Sequence, residues 1–349
     1  MATIIDILKT GVDNKASDIH ITVGVPPKMR VNGKLVTMNF DRLMPQDTKM
    51  LAESIMNDKQ KQWFEDKGEV DFSYGVPDLG RYRVNAYHQR GTVAMALRLV
   101  STNIPEPEAL GVPESVIDLY NRKRGLILVT GPTGSGKSTT LAAILDKANH
   151  NRDAHIITLE DPIEYLHRHD KCIVNQREIG LDSQNYANAL RAALREDPDI
   201  ILVGEMRDFE TISVAITAAE TGHLVLSTLH TIGAASTVDR VIDVFPPHQQ
   251  QQIRVQLAMN LQAVVSQQLI PAKAQTLVPA FEVLTMTNAI RTLIRENKLH
   301  QIPNMIATGK EYGMMAMDDA IYKLYQDGNI DRTTALLYAS NPDVLSKKI

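Results

Sequence analysis

The stretch RGLILVTGPTGSGKSTT (residues 124–140) has the residue types and spacing of a phosphate-binding loop. Gly131, Gly136, Lys137 and Ser138 match G-x-x-x-x-G-K-[ST], between an apolar run and a helical pattern. Glycines let backbone N–H groups come close to phosphate oxygens, and a helix N-terminus favours negative charge. Lysine places a positive charge near the β- and γ-phosphates, and the Ser138 hydroxyl can bind Mg²⁺. The sequence therefore predicts a site for a nucleoside triphosphate.

The residues expected to contact the nucleotide form one continuous segment of the loop. They are Gly131, Pro132, Thr133, Gly134, Ser135, Gly136, Lys137, Ser138 and Thr139. Many phosphate-loop enzymes carry an aspartate for Mg²⁺ just before the catalytic glutamate, at the position of Gly204 in this chain. We therefore expect Ser138 to be the metal ligand, with Glu160 or Glu205 as candidates to act on the metal through water.

Acidic side chains and a histidine follow three other apolar runs. Glu160, Asp161 and Glu164 follow HIITL, Glu205 follows DIILVG, and His230 ends HLVLSTLH. In an open parallel sheet, ligands bind beyond the carboxyl ends of the strands. The three runs therefore direct carboxylates and an imidazole to the region of the loop. Hydrolysis needs such groups, because a carboxylate orients or deprotonates water and a polar group contacts the γ-phosphate.

Some of these residues have structural alternatives. Asp161 could instead cap a helix, with proline next and Glu164 at the third helical position. His223 and His230, which bracket one apolar run, could each be a histidine of a packed core. Glu205 follows apolar residues and a glycine, which is a poor place for a carboxylate without a function.

The first hundred residues predict a mixed α+β domain. Apolar residues at helical spacing predict a helix over 3–15, and residues 45–68 are also helical in pattern. Alternating patterns predict short strands, over residues 18–23, 28–33, 34–38, 70–76, 80–90 and 92–100. Three prolines then follow within STNIPEPEALGVPES, which is typical of a linker. We place the first domain at 1–100 and the linker at 101–113.

Beyond the linker the pattern changes. Unbroken apolar runs alternate with helical patterns such as YANALRAALRE and FETISVAITAAE, which predicts a parallel sheet covered on both faces. We assign this α/β core to residues 114–284 and expect 285–349 to be helical.

Composition narrows the class of protein. The 349 residues carry a net charge of −4 and 5% aromatic residues, which argues against nucleic-acid binding. The single cysteine, Cys172, excludes an internal disulfide and a four-cysteine zinc module. No apolar run approaches the roughly 18 residues needed to span a bilayer, and the N-terminus lacks the small-residue cleavage site of a secretory signal. We expect a cytosolic protein without nucleic acid and without direct membrane insertion.

The motifs together resemble a known family. GPTGSGKST, TLEDPIE, LREDPDIILVGEMRD and TAAETGHLVLSTLHT resemble, in order and spacing, the secretion ATPases of type II secretion and type IV pilus systems. ASDIHITVGVPPKMRVNGKL, GRYRVNAYHQR and TVDRVIDVFPP extend the likeness over nearly the whole chain. Glycine before Glu205 is normal in that family. AIRTLIREN (289–297) resembles the signature of its pilus retraction branch, with Thr292 where asparagine is usual.

The resemblance implies a PAS-like α+β N-terminal domain, a RecA-like P-loop domain with a helical C-terminal portion, and a homohexameric ring. It implies a motor that hydrolyses Mg-ATP to power type IV pilus retraction and twitching motility. It also implies a set of catalytic residues: Glu205 as the hydrolytic carboxylate, Glu160 and Glu164 as further acids, His223 and His230 as a pair, and Arg81 and Arg98 as phosphate-binding arginines with Arg83 as their neighbour. The structural alternative for these arginines is a solvated strand face.

The implied partners are the inner-membrane pilus platform protein and the rest of the pilus machinery, with the ring docked from the cytoplasm at the inner face of the inner membrane. We expect exposed Arg291 and Arg295 of AIRTLIREN to transmit ring closure to that machinery. The structural alternative is a helix whose apolar residues only pack into the C-terminal helical portion. Two alternatives use the same core. A RecA-like nucleic-acid translocase would need a basic stripe with aromatic residues, and a regulatory scaffold would bind nucleotide without turnover.

Overall fold

The structure, a computed structural model, describes residues 2–274 and 276–349. Backbone contacts divide the chain into two compact units, the first ending at Thr102 and the second running from Asn103 to Ile349. Within the described residues, none of the helices has both the length and the apolar character required to cross a membrane.

The first unit is an antiparallel sheet with helices packed on one face. Over the described residues 2–102 its elements are α1 (Ile4–Asp13), β1 (Asp18–Ile21), β2 (Lys28–Val31), β3 (Lys34–Thr37), α2 (Pro45–Glu53), α3 (Asp58–Lys67), β4 (Glu69–Val76), β5 (Gly80–Gln89) and β6 (Thr92–Leu99). The strand order is β3-β2-β1-β6-β5-β4. The helical pattern over 45–68 is two helices, because Asn57 accepts a hydrogen bond from the Gln60 N–H and starts a new helix.

The alternation along the strands separates a buried face from an exposed one. Ile19, Tyr82, Val84 and Leu97 are buried in the core that the helices cover. Residues between them in sequence lie on the opposite face, since successive strand residues point to opposite sides. The arginines of β5 and β6 are on that second face.

The second unit is a mostly parallel sheet. Over the described residues 103–274 and 276–349 its elements are α4 (Glu114–Ile117), β7 (Gly125–Thr130), α5 (Lys137–Asn151), β8 (His155–Glu160), β9 (Ile173–Glu178), α6 (Tyr186–Ala193), β10 (Ile200–Val203), α7 (Phe209–Glu220), β11 (Leu224–Leu229), α8 (Ala234–Asp243), α9 (Pro247–Asn260), β12 (Leu261–Pro271), β13 (Leu277–Thr285), α10 (Asn288–Arg295), α11 (Ile302–Thr308), α12 (Met317–Gln326), α13 (Arg332–Tyr338) and α14 (Pro342–Leu345).

The strand order is β13-β12-β7-β11-β10-β8-β9, and each neighbouring pair is parallel except β12 with β13. Helices α6 to α9 contribute to the core on one face of the sheet, and α4 and α5 to the core on the other. The predicted parallel sheet covered on both faces is therefore present. β9, β12 and β13 were not predicted, and β13 makes the sheet mixed.

The proline-rich segment predicted as a linker belongs to the second unit from Asn103 onward. Val112 is buried in the core with α4 and α5. Lys147 of α5 lies 2.9 Å from a Glu108 carboxylate oxygen and 3.8 Å from one of Glu106. The predicted linker is thus attached to the second unit through Glu106, Glu108 and Val112.

Candidate nucleotide site

The phosphate loop follows the buried strand β7 and packs against the neighbouring strand β12. Every residue of β7 is buried. Gly131 has φ +143°, and a Cβ there would lie 2.2 Å from the backbone oxygen of Gln267 on β12. Gly136 has φ +87°, and its Cβ would lie 2.9 Å from the Gln267 side-chain nitrogen. The fold therefore requires glycine at both positions, at Gly131 because the loop packs directly on the backbone of β12 and at Gly136 because its φ lies in the left-handed region.

Lys137 begins α5 and its side chain folds onto the loop. The ammonium donates to the carbonyl oxygens of Gly131 and Pro132, each at 2.9 Å. Burial lowers the pKa of Lys137, and the nearby carboxylates of Glu164 and Glu205 act in the opposite direction. Gly136, the N-cap of α5, provides no side-chain hydrogen bond to the helix. The first N–H groups of α5 therefore lack the side-chain cap that would compete with a phosphate.

The structure brings the predicted strand-end residues together around the loop. A pocket of about 280 Å³ is lined by Lys137 and Ser138 of the loop and by Glu160, Glu205 and His230. Thr133, Gly134, Asp161 and Glu164 line the same pocket. Strands β7, β11, β10 and β8 are consecutive neighbours in the sheet, so their carboxyl ends form one row.

Glu205 is the centre of a charged cluster. One carboxylate oxygen lies 2.8 Å from a guanidinium nitrogen of Arg207 and 3.5 Å from Nε2 of His230. The Glu205 side chain is 21% exposed and that of His230 is 45% exposed. Sequence reasoning did not select Arg207, although it follows the same strand end two residues later. The cluster joins a carboxylate that can orient water to an imidazole and a guanidinium that can contact phosphate oxygens.

Glu160, at the end of β8, is held by hydrogen bonds in a poorly hydrated position. Its Oε1 accepts hydrogen bonds from the Thr158 hydroxyl at 2.6 Å and from the Gln176 amide at 3.1 Å. Burial raises the pKa of Glu160, and these two hydrogen bonds oppose the shift. Glu164 is exposed.

The structure explains why residue 204 is a glycine. A Cβ at this position would lie 2.9 Å from the Tyr186 hydroxyl and 3.1 Å from the Leu159 backbone oxygen. The Gly204 N–H also donates to that Leu159 oxygen at 2.7 Å, which pins the backbone against β8. An aspartate would not fit without displacing one of these groups.

The segment after Glu160 does not have the helix that the capping alternative for Asp161 requires. Residues 161–172, all of which the structure describes, form no helix, so Asp161 is not a helix cap. Instead the segment runs along the pocket, where the Tyr165 hydroxyl lies 3.0 Å from the Thr139 hydroxyl of α5. His167 lines the pocket with its side chain only 3% exposed. The sequence gives His167, His169 and Cys172 a loosely metal-like spacing, but no fourth ligand follows, which favours a solvated surface loop. For His167 that interpretation was wrong.

His223 lies at the amino-terminal end of β11, whereas the pocket lies at the carboxyl ends of the strands. It precedes β11, its backbone oxygen accepts a hydrogen bond from the Gly125 N–H, and its Nδ1 lies 3.0 Å from the Ala218 oxygen. His230 is seven residues further along the strand, which at the rise of an extended chain corresponds to about 23 Å. The structure therefore does not bring His223 to the pocket of its own unit.

The three predicted arginines share the exposed face of the first unit. Arg81 and Arg83 alternate on β5, and Arg83 pairs directly opposite Arg98 on β6. Arg98 donates to an Asp18 carboxylate oxygen at 2.9 Å, and Arg30 lies 4.0 Å from the same carboxylate. Burial alone would raise the pKa of Asp18, but hydrogen bonds from Arg98 and Ser17 bring it below its ordinary value.

AIRTLIREN (289–297) covers most of α10, which ends at Arg295. Ile290 and Ile294 are buried in the core of the second unit. Arg291 was expected to be exposed, and this was wrong: its guanidinium donates to the backbone oxygens of Ala258 and Met259 at the end of α9. Arg295 is exposed, as expected.

Known proteins are similar to this chain over nearly its whole length. Residues 2–336 match the family model described as "Type II/IV secretion system protein". The chain is 47% identical to the "Type IV pilus retractation ATPase PilT" of Pseudomonas aeruginosa, over 97% of this chain and 99% of that protein. It is 42% identical to the "Twitching motility protein" of Neisseria gonorrhoeae, over 99% of this chain and 92% of that protein.

A solved structure is similar as well. The crystal structure of the pilus retraction motor PilT with bound ADP superposes with a TM-score of 0.91 at 49% identity. The superposition covers 99% of this chain and 100% of that one.

Proposed function

The chain belongs to the type II/IV secretion system protein family, and we propose that it is an ATP-hydrolysing motor that powers type IV pilus retraction and twitching motility. Membership in the family confirms the resemblance inferred from the motifs, and the α/β fold class is confirmed too. The alternative of a nucleic-acid translocase is not favoured, because the relatives are named for pilus retraction and twitching motility.

The observation that carries the proposal is the pocket itself. The phosphate loop, two strand-end carboxylates and a histidine lie at one edge of the sheet, in a chain nearly half identical to a pilus retraction ATPase. The loop and the start of α5 bind the phosphates of ATP through backbone N–H groups and Lys137. Glu205 acts as the general base that orients the attacking water, and His230 beside it contacts the γ-phosphate.

Mg²⁺ fits this site as the cation of the substrate. The Ser138 hydroxyl at the start of α5 lines the pocket beside Lys137 and is the group that would hold it. Mg²⁺ ordinarily keeps several waters and binds substrate phosphates rather than a cage of protein ligands. When bound, it would neutralise the charge on the phosphate oxygens.

Other roles are carried over from the resemblance. We assign Glu160 and Glu164 as further acids of the site, and Arg81, Arg83 and Arg98 as arginines that bind phosphate oxygens. A planar guanidinium matches phosphate in a bidentate manner, and the arrangement of these arginines on one face of the sheet supports the assignment. His223 is proposed to act in the assembled ring, since it is remote from the pocket in its own unit.

The motor acts as a homohexamer. We propose that the ring docks from the cytoplasm on the inner-membrane pilus platform protein, and that sequential ATP turnover moves this partner. The relatives named for pilus retraction and for twitching motility support this part of the proposal.

Phosphate release, measured across protein concentration with particle size followed in parallel, tests the proposal. We expect ATP hydrolysis to rise as hexamers form. A strain that lacks the protein should lose pilus retraction and regain it with the wild-type chain but not with Lys137→Ala. Hydrolysis that is absent at every concentration, or retraction that is restored by Lys137→Ala, would refute the proposed function.

A further inference from the structure

We propose that Gln176 is a positioning residue for ATP hydrolysis, which fixes the position of the Glu160 carboxylate relative to the phosphate-loop helix. This inference rests on the proposed function. It assigns to the edge strand β9 a part in the reaction that neither the motifs nor the resemblance gives it.

The side-chain amide of Gln176 makes three hydrogen bonds within the site. Its nitrogen donates to Oε1 of Glu160 at 3.1 Å and to the backbone oxygen of Tyr165 at 2.8 Å. Its oxygen accepts the backbone N–H of His167 at 2.8 Å. One amide therefore ties the carboxylate at the end of β8 to the segment that lines the pocket.

That segment is itself attached to the phosphate loop. The Tyr165 hydroxyl lies 3.0 Å from the hydroxyl of Thr139 in the first turn of α5. A continuous path of hydrogen-bonding groups thus runs from Glu160 through Gln176 and Tyr165 to the helix that binds the phosphates. This path, together with the hydrogen bond from Thr158, fixes the side-chain rotamer of Glu160 and therefore its position relative to the phosphates.

The chemistry of an amide suits this role. Glu160 lies where burial favours its neutral form, and a donated hydrogen bond favours the charged form. Gln176 and Thr158 are the two side chains that donate to it. The backbone of Glu164 also hydrogen-bonds to the carboxylate. Because Thr158 is on the strand of Glu160, Gln176 is the side chain that ties the carboxylate to another strand.

A purely structural role predicts a different outcome in a double-mutant cycle. If Gln176 only supports β9, its replacement should lower stability and affect turnover independently of Glu160. If it acts through Glu160, its replacement should lower kcat only while Glu160 carries its carboxylate, because contacting residues that act as one unit are not additive.

The experiment compares Gln176→Met, Glu160→Gln and the double variant by steady-state ATP hydrolysis and urea unfolding. We expect Gln176→Met to lower kcat by roughly tenfold to hundredfold, with KM close to the wild-type value. In the Glu160→Gln background, Gln176→Met should lower kcat no further. Asn175→Met is the matched control: Asn175 is the adjacent, exposed residue of β9 and its amide contacts His155 instead, so kcat should be unchanged.

Gln176→Glu serves if the methionine variant does not fold. It keeps the shape and the acceptor for the His167 N–H but replaces the donor with a second carboxylate beside Glu160, so kcat should again fall without a change in KM.

Each failure has its own signature. A wild-type kcat in both Gln176 variants, or additive effects in the cycle, would overturn the role of Gln176 and leave the ATPase assignment intact. A wild-type kcat in Glu160→Gln would also overturn it, because the residue through which Gln176 acts would have no function. Absence of hydrolysis by the wild-type hexamer would instead overturn the proposed function.

Discussion

Replacing Gly204 with alanine should destabilise the second unit and slow ATP hydrolysis, because the added methyl group has no space. The Cβ would lie 2.9 Å from the Tyr186 hydroxyl and 3.1 Å from the Leu159 backbone oxygen. Both distances are shorter than the roughly 3.5–4.0 Å at which carbon atoms make favourable contacts. The backbone cannot simply retreat, since the Gly204 N–H donates to Leu159 on one side and its oxygen accepts from the Thr228 hydroxyl on the other.

Overpacking of this kind costs about 1–3 kcal/mol of unfolding free energy. Part of the cost should be recoverable, because one of the two close contacts is made by a hydroxyl that Tyr186→Phe removes. We therefore expect the double variant Gly204→Ala/Tyr186→Phe to be more stable than the sum of the two single changes predicts. The contact with Leu159 remains, so recovery should be partial.

The effect on turnover follows from the position of the next residue. Glu205 would be displaced with Gly204, and a shift of about 1 Å in a reacting group can cost roughly a hundredfold in rate. Urea unfolding and steady-state ATP hydrolysis measure the two effects. The control is Gly75→Ala, at an exposed strand position where a Cβ meets nothing within 4 Å. Wild-type stability and kcat in Gly204→Ala would show that crowding does not explain this glycine.

Lys137→Ala should abolish ATP binding, measured with a fluorescent nucleotide, while the circular dichroism spectrum stays native; wild-type turnover would exclude the loop as the site. Glu205→Gln should still bind ATP but hydrolyse it about 10²–10⁴-fold more slowly, since the amide cannot act as a general base; a far larger loss in Glu164→Gln would mean that the two roles are exchanged. Arg291→Ala should lower the unfolding free energy by about 1 kcal/mol, because a cation at the end of α9 is lost, and an unchanged urea midpoint would contradict this. Arg295→Ala should keep wild-type stability and ATPase activity but lose pilus retraction in cells, and a parallel loss of ATPase activity would contradict the transmission role.

The sequence predicts the nucleotide site well because its parts are local. Four consecutive features of one segment, an apolar strand, glycines, a lysine and a helical pattern, give the loop without any long-range contact. The glycines illustrate the limit of that reasoning. Close approach to phosphate explains why glycine is useful in this loop, whereas the contact of Gly131 with the backbone of Gln267 on β12 explains why glycine is required there. Gln267 is far away in sequence, so this reason becomes visible only in the fold.

The sequence does not show the environments of three residues, because their contacts are with residues far away in sequence. Gln176 lies on β9, which shows no unbroken apolar run because it is an edge strand with three buried or half-buried polar residues at its end. His167 was assigned to a solvated loop because no local pattern shows that β9 and α5 enclose it. Arg291 carries a charge on an otherwise amphipathic helix, and only the packing of α9 beside α10 shows that it caps a neighbour.

The two histidines around β11 show where elementary rules could have gone further. The resemblance pairs His223 with His230, and both flank the same apolar run. In a parallel sheet, however, the phosphate loop follows the carboxyl end of its strand, so only residues after a neighbouring strand can lie beside it. His230 follows β11 and lies 3.5 Å from Glu205, whereas His223 precedes β11 and contacts the start of β7 through its backbone. If both histidines affect hydrolysis, they must therefore do so from opposite ends of β11. In that case His223→Ala should lower kcat only under conditions in which the chain assembles, while His230→Ala should lower it at every protein concentration that supports turnover.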